Sequence, residues 1–550
     1  MLRQRIASRD PRTIAAFALI ISAVVAVAIL AARNLYDDEI LSLPIIASTP
    51  RAIIRFAGTS DVHPPGMYLL GHIALRIIPS FRWMNLISTA VFYAGLAAFV
   101  TSLAPLFRHA ASRAVFLLLA TLHPQLLLWG TSYRWYSWWT GFALITVVIA
   151  LQPRRSDPPL SVARSLVVAT LLAALFYINY ITLLFAIALA ASMAFRYRSL
   201  PSSRKLQMGV LTTAMFSALV IPQLRILLGT QLAFSSSQRT GILSSFGRLL
   251  QGTLASECYL PWHPLAIVMA ATLACALAAG VWIQAGVHAK DAAEEAQNPL
   301  QSISVLAMVF FLFVALSGLG GRPRNGLLLV PAFAAAFAYA TNRFPARVKH
   351  AILVLIALWS AVGIGHMINR TGLGKSMMID RPEQVAAFIR ATAKDGCAVV
   401  VTYDAPLTFA ISHPRDPRTL LLSHYAEPIG ESARTLPAGC SHTNLYIAHS
   451  YMVGSPQWAA TLKSELDSAA RLIIGPRSTA SFNFDPDAAR KRALSRIPGF
   501  SSDLSSAAEL PDYRYTVIAG PMDASALPQL RSRLPDFCTA NECRSPVSPR

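Results

Sequence analysis

The chain has 550 residues, of which 54% are hydrophobic and 14% charged, with a mean hydropathy of +0.48 and a formal charge of +21. Soluble domains carry about 25% charged residues, so an ordinary soluble protein is excluded and a polytopic membrane protein is indicated. The Lys and Arg excess sits in short clusters between apolar runs, not along one basic face, which argues against a nucleic-acid partner and follows the positive-inside pattern.

The first apolar run, Thr13 to Ala32, follows Arg3, Arg5, Arg9 and Arg12. It exceeds the roughly 7 to 15 residues of a signal-peptide core and reads as an uncleaved membrane helix. Directly behind it comes NLYDDEILSLP, residues 34–44, with Asp37, Asp38 and Glu39 in a row. At a membrane edge water is near, while apolar walls lower the local dielectric and tune a carboxylate toward general-base work. The plainer alternative is that these acids solvate a helix end. The HPP of SDVHPPGMYLL stiffens the entry to a helix, because each proline fixes its own φ and restricts the residue before it. His63 is then a candidate ligand for substrate or phosphate, or a hydrogen-bonded cap. The run 64–79 carries His72 and Arg76 and is short for a span, so it reads as a helix at the interface.

A hydrocarbon core of about 30 Å takes roughly 20 apolar residues per crossing. Eleven membrane helices follow, near 13–33, 83–104, 113–130, 136–152, 163–179, 180–196, 208–228, 263–286, 302–320, 326–341 and 349–368. If 64–79 does not cross, the clusters Arg108 with Arg113, Arg154 with Arg155, Arg196 to Lys205 and Arg343 to Lys349 share the side of the basic N-terminus. That arrangement obeys the positive-inside rule. It puts residues 34–44, the segment TSYRWYSWW, the loop 229–262, the turn GGRPRNG and the whole tail on the outer face, the periplasmic side of a bacterial inner membrane.

Arg134, Arg322 and Arg324 break the charge bias, since each lies between apolar helices on the outer face, where a charge needs a partner. Phosphate suits them, because guanidinium donates in pairs and keeps its charge when partly buried. The alternatives are snorkelling to lipid headgroups or pairing with Asp37 and Glu39. Tyr133, Trp135, Tyr136, Trp138 and Trp139 read first as an interfacial aromatic belt, with Tyr136 a candidate wall for a sugar ring. Asn179 and Tyr180 read as a turn between helices.

From 369 onward the composition changes. RPEQVAAFIRATAKDG and a stretch at 457–470 have helical patterning, while CAVVVTY, TNLYIAH, RLIIG and YRYTVIAG read as strands. The alternation predicts a small periplasmic α/β domain over 369–550 behind a transmembrane domain over 1–368. Cys397, Cys440, Cys538 and Cys543 lie in this tail, and pairing 397 with 440 and 538 with 543 is the simplest of three connectivities, with free thiols left open. HExxH, paired CxxC, GxSxG and nucleotide-phosphate loops are absent, so zinc hydrolysis, serine hydrolase and nucleotide-driven chemistry find no footing. A divalent metal on Asp37 and Asp38 beside a lipid phosphate is conceivable, but two carboxylates do not establish it.

LYDDE followed by HPPGMYLL resembles the LWxDE…HPPLYYLL signature of polyprenyl-phosphate-sugar-dependent glycosyltransferases of the GT-C superfold, the group of protein O-mannosyltransferases and lipid A aminoarabinose transferases. SYRWY matches that group's Ser-x-x-Arg-x-Tyr segment loosely, placing Arg134 and Tyr136 on its Arg and Tyr. RPRNGLLLVP is similar to its later Arg-Tyr…Pro motif, with Arg324 on the Arg, Asn325 in place of the Tyr and Pro331 on the Pro. The resemblance covers residues 13–345. It implies a transferase that uses a lipid-linked phosphosugar at the outer face of the inner membrane, with Asp38 on the catalytic aspartate, Glu39 beside it and Asp37 an added acid, and does not carry over the sugar or acceptor. The expected reaction is inverting transfer to an envelope glycan, lipid or protein acceptor, with Asp38 as general base. Asn179 stands where a His-Tyr pair is common. The competing class is a transporter or flippase for an anionic lipid-linked substrate, which would place charges and helix breaks at mid-membrane in paired halves. A third is a noncatalytic scaffold whose tail binds partners.

Overall fold

The computed structural model of the chain describes residues 10–32, 39, 42–47, 49–59, 63–80, 83–107, 109–151, 161–198, 200–234, 241–259, 264–295, 299–369, 382–393, 396–402, 405–412, 417–423, 440–450, 467–483 and 514–533. The chain divides into two compact units, one formed by Met1–Asn34 with Pro50–Met377, the other by Leu35–Thr49 with Met378–Arg550.

The first unit is helical throughout: α1 Pro11–Ala32, α2 Pro50–Thr59, α3 Gly66–Ile77, α4 Asn85–Leu103, α5 Ala110–Leu122, α6 Pro124–Gly130, α7 Trp135–Leu151, α8 Val162–Ile178, α9 Thr182–Arg196, α10 Ser202–Phe234, α11 Ile242–Leu254, α12 Pro264–Glu295, α13 Pro299–Leu316, α14 Leu329–Ala340 and α15 Ala346–Ile368. Helices occupy all eleven of the predicted apolar segments. Among the described residues seven are long and apolar enough to cross a membrane, α5 and α6 counting together as Ala110–Gly130. This is a multi-pass membrane protein. The remaining apolar helices are shorter: α7 and α8 have 17 residues, α9 has 15 and α14 has 12.

The spans pack through small residues and leave apolar faces outward. α7 lies along α4, where a Cβ on Gly141 would come within 2.6 Å of the Val91 carbonyl oxygen and 3.0 Å of Phe92 Cα, so only glycine allows the two backbones to approach. α8 lies on α10, α9 on α13, and α14 and α15 on α5. Phe17, Ile20 and Val24 of α1, Val210 of α10 and Trp282 of α12 are exposed, as apolar side chains meeting lipid tails would be. The 12-residue α3 is short of a span, burying Met67, Tyr68 and His72 while Ile73 and Ile77 stay exposed.

Two expectations are corrected here. The span near 208–228 runs from 202 to 234, and the loop 229–262 contains a full helix, α11. The helix forms because Ser245, Leu249 and Gly252 recur at helical spacing on one buried face, a pattern obscured by equally apolar residues on the other. α2 was also unforeseen, and is amphipathic, with Ile53 and Ala57 buried between exposed Arg51 and Arg55.

The C-terminal part of the second unit has the α/β architecture expected of the tail. Strands β1 Cys397–Thr402, β2 Thr419–Ser423, β3 Thr443–Ser450, β4 Ser478–Asn483 and β5 Arg514–Pro521 form one sheet in the order β2-β1-β3-β5-β4. β1 runs parallel to β2 and β3, with Val399 facing Leu420 and Leu445, while β5 is antiparallel to β3 and β4. Both faces of the sheet are covered, which explains the unbroken apolar run of β1. Val400 and Tyr446 pack with Val385 and Ile389 of α16 Pro382–Ala393 and Leu407 of α17 Ala405–Ser412. Val399 and Ile447 pack with Leu472 and with Leu530 of α18 Leu527–Arg533. Cys397 and Cys440 are joined, Cα to Cα 5.5 Å. Cys538 and Cys543 lie outside the described residues. The expected strand RLIIG is a correction: Leu472 and Ile473 donate back to Ala469 and Ala470 as a turn, leaving a single bridge from Ile473 to Met522.

Candidate functional site

The loop between α5 and α6 sets the geometry. His123 adopts an extended backbone, Pro124 opens α6, and the His123 Nδ1 accepts from the Gln125 amide N at 3.1 Å. Since Nδ1 accepts, Nε2 carries the proton and donates to the Thr253 carbonyl at 3.0 Å, tying α6 to the end of α11. Gln125 and Trp129, four residues apart, then share one face of α6.

That face meets Glu257, which the sequence reading did not single out. Glu257 Oε2 accepts from Gln125 Nε2 and from the Trp129 indole N–H, both at 2.7 Å. The Gln125 amide oxygen accepts in return from the Glu257 backbone N–H at 2.8 Å and the Ser256 hydroxyl at 3.1 Å. Ser256 is the one described non-glycine residue with positive φ, at 73°, and its N–H closes on the Gln251 carbonyl as the chain leaves α11. Such a conformation costs on the order of 1–3 kcal/mol and persists where surrounding bonds fix it.

Arg324 completes the cluster. It lies in a tight turn, Pro323–Gly326, and is buried. Its guanidinium carbon is 5.0 Å from the Trp129 ring centre and 5.2 Å from that of Tyr136, two rings that meet edge to face at 5.3 Å. Contacts of this kind contribute about 0.5–2 kcal/mol, more when water is excluded. Asn325 Nδ2 donates to the Leu319 carbonyl at 2.8 Å and pins the turn. Arg248 of α11 reaches the Gly321 carbonyl at 3.4 Å, and Gly252 lies against Pro323 so closely that any Cβ would collide with the ring. Burial pushes the Glu257 carboxyl above the usual carboxylate range, opposed by its bonds from Gln125 and Trp129 and by the charges of Arg324 and Arg248.

Arg134 is buried in the turn between α6 and α7. Its N–H donates to Ser132 Oγ at 3.2 Å, Ser137 bonds the Ser132 and Arg134 carbonyls, and Trp138 Nε1 donates to the Tyr133 carbonyl at 2.8 Å. Tyr136 sits two residues on, against Arg324. Tyr133, Trp135, Tyr136, Trp138 and Trp139 are all buried in the helical unit, so the expected interfacial belt is corrected to a packed aromatic wall. Trp139 donates to Thr182 at 2.8 Å, and Asn179 accepts from the Ile181 N–H at 2.8 Å, the turn expected there.

The remaining candidates scatter. Arg322 is exposed and outside the cluster, and His63 is half-buried before α3. Glu39 belongs to the second unit, where it is fully buried. Asp37 and Asp38 lie outside the described residues. Among the described residues no three His, Cys, Asp or Glu side chains gather as a metal site.

Glu257 left a trace in the sequence: between Glu39 and Asp291 the only acids are Asp61, Asp157 and Glu257. An acid that rare in an apolar unit needs a partner. Arg324 and Trp129 could not be paired with it from spacing, because they come from three separate segments.

Apolar helices in one unit and a mixed sheet flanked by helices in the other define a multi-pass membrane protein with an α/β unit. The chain superposes on ArnT from Cupriavidus metallidurans in its apo state with a TM-score of 0.51 and 13% identity, over 92% of this chain and 97% of that one. The structure of the same protein bound to undecaprenyl phosphate gives a TM-score of 0.50 with the same identity and coverage. No protein-family profile matches the chain, and no curated protein matches it in sequence.

Proposed function

We propose that the chain is an inverting membrane glycosyltransferase that moves a sugar from a polyprenyl-phosphate donor to an envelope glycan, lipid or protein acceptor at the periplasmic face of the inner membrane. The observation that carries the reading is the buried Arg324 guanidinium seated on Trp129 and Tyr136, a cationic grip in an apolar unit, in a fold shared with a protein captured holding undecaprenyl phosphate.

In this reading Arg324 and Arg134 bind the donor phosphate and the polyprenyl chain runs among membrane lipids between helices. Asp38 removes the proton from an acceptor hydroxyl as its oxygen attacks the anomeric carbon opposite the phosphate. A bond forms from that oxygen to the carbon, the bond from carbon to phosphate oxygen breaks, and the lipid phosphate leaves with the charge that the arginines stabilise. Tyr136, Asp37, His63 and Arg322 are the further candidates for substrate binding, and Glu39, next to Asp38 in sequence, is the second catalytic candidate.

The test is sugar transfer in detergent from a panel of polyprenyl-phosphate sugars by Asp38→Asn and Arg324→Ala. Each is expected to lose on the order of 10²-fold or more, the range for a general base or a charge-stabilising donor. Full transfer by both variants rejects the assignment.

A further inference from the structure

Glu257 is held more firmly than hydrogen bonding requires. Its Oε2 takes two donors, its N–H is clamped by Gln125, and Ser256 accepts a left-handed backbone to present it. A glutamine in its place would accept from Gln125 and Trp129 equally well. Above its raised pKa, what Glu257 adds over glutamine is a negative charge, placed next to the Trp129 ring on which the Arg324 guanidinium stacks.

The lipid before and after transfer differs in charge. A polyprenyl-phosphate sugar is a phosphodiester with one negative charge. The released lipid phosphate is a monoester, which carries about −1.5 to −2 at neutral pH, since the second pKa of such groups is about 6. A fixed carboxylate near the grip repels both, and repels the monoester more.

We infer that Glu257 is a positioning residue and fixed counter-charge for Arg324, which tilts the site toward the singly charged lipid phosphodiester and away from the doubly charged lipid phosphate. The carboxylate sets the plane of Trp129 through the indole N–H, and Trp129 sets the guanidinium. The same charge keeps product from lingering on the cation that drew the donor in. This rests on the reading of Arg324 as the phosphate grip.

The experiment is direct binding of undecaprenyl phosphate and of a polyprenyl-phosphate sugar to the full-length protein in detergent, in mildly alkaline buffer. Glu257→Gln keeps the acceptor for Gln125 and Trp129 while removing the charge. It is expected to bind undecaprenyl phosphate about tenfold tighter, and the phosphodiester only about threefold tighter, the factors for one unit charge removed at a distance on the order of 10 Å across a solvated path with an effective dielectric of about 50. A merely structural role moves affinity the other way or not at all, and moves both lipids alike. Trp129→Phe keeps a ring beneath Arg324 without the N–H, and is expected to weaken binding of both lipids. Unchanged or weaker binding of undecaprenyl phosphate by Glu257→Gln, or equal tightening of the two lipids, overturns the counter-charge, and unchanged binding by Trp129→Phe overturns the positioning. If Arg324→Ala binds both lipids as the wild type does, the phosphate grip itself fails and the inference falls with it.

Discussion

Glu257 and Arg324 show how single residues are placed by chemistry that spacing does not reveal. The acid sits just beyond α11, the arginine in the turn before α14, and the ring between them on α6. Burial raises the Glu257 carboxyl pKa despite its donors and nearby cations. The folded protein therefore holds this proton more tightly than the unfolded chain does. By linkage the stabilising contribution is complete below the ordinary carboxylate pKa and is lost as pH rises through the raised folded-state value. Glu257→Gln has no such proton to lose. Its melting temperature relative to wild type should therefore climb as pH rises across that window, read by thermal unfolding in detergent over a pH series. A difference that stays constant with pH would mean that the buried carboxyl titrates as an ordinary one. Arg134 and Arg324 were legible as cations out of place in an apolar sequence. The aromatic wall against Arg324 was not, because a run of Tyr and Trp reads the same whether it faces lipid or the protein interior.

At the scale of elements, apolar runs announced the spans, while helix α11 escaped notice because its exposed Ile242, Leu243, Phe246 and Leu250 blur the contrast between faces. Its packing makes an opposed pair of predictions. Gly252 faces Pro323 with no room for a Cβ, whereas Gly247 on the same helix has nothing within 4 Å of one. In an open helix position Gly→Ala stabilises by roughly 0.5–1 kcal/mol, and Gly247→Ala should do so. At Gly252 the collision outweighs that gain, since overpacking costs about 1–3 kcal/mol. Gly252→Ala should therefore lower the melting temperature, and by lifting α11 from the Pro323–Gly326 turn it should also reduce sugar transfer. Equal stabilisation by both variants would show that α11 does not close on the turn. The strands β2 and β4 were invisible for a different reason: TLLLS is too short to show a period, and STASFN is too polar to look buried.

For the molecule as a whole, the membrane orientation decides whether the proposed chemistry is available, and the tail carries a chemical reporter of it. The positive-inside rule predicts that residues 34–44 and the α/β unit share the side opposite the basic loops. Cys397 and Cys440, at the starts of β1 and just before β3, form a disulfide across 43 residues of sequence. Closing a loop of that length stabilises by about 4 kcal/mol in the chain-entropy account, so reduction should lower the melting temperature of the α/β unit measured in the full-length protein. Such bonds persist on the oxidising side of a bacterial membrane and are rare in the cytoplasm. In intact cells quenched with acid, thiol alkylation should therefore find Cys397 and Cys440 blocked until reductant is added, while Cys275, an exposed free thiol of α12, reacts in detergent without it. If Cys397 and Cys440 both alkylate as free thiols in cells expressing the protein, the tail faces the cytoplasm. Asp38 would then lie on the side where the basic loops were assigned, and neither the periplasmic base nor the direction of sugar transfer would stand.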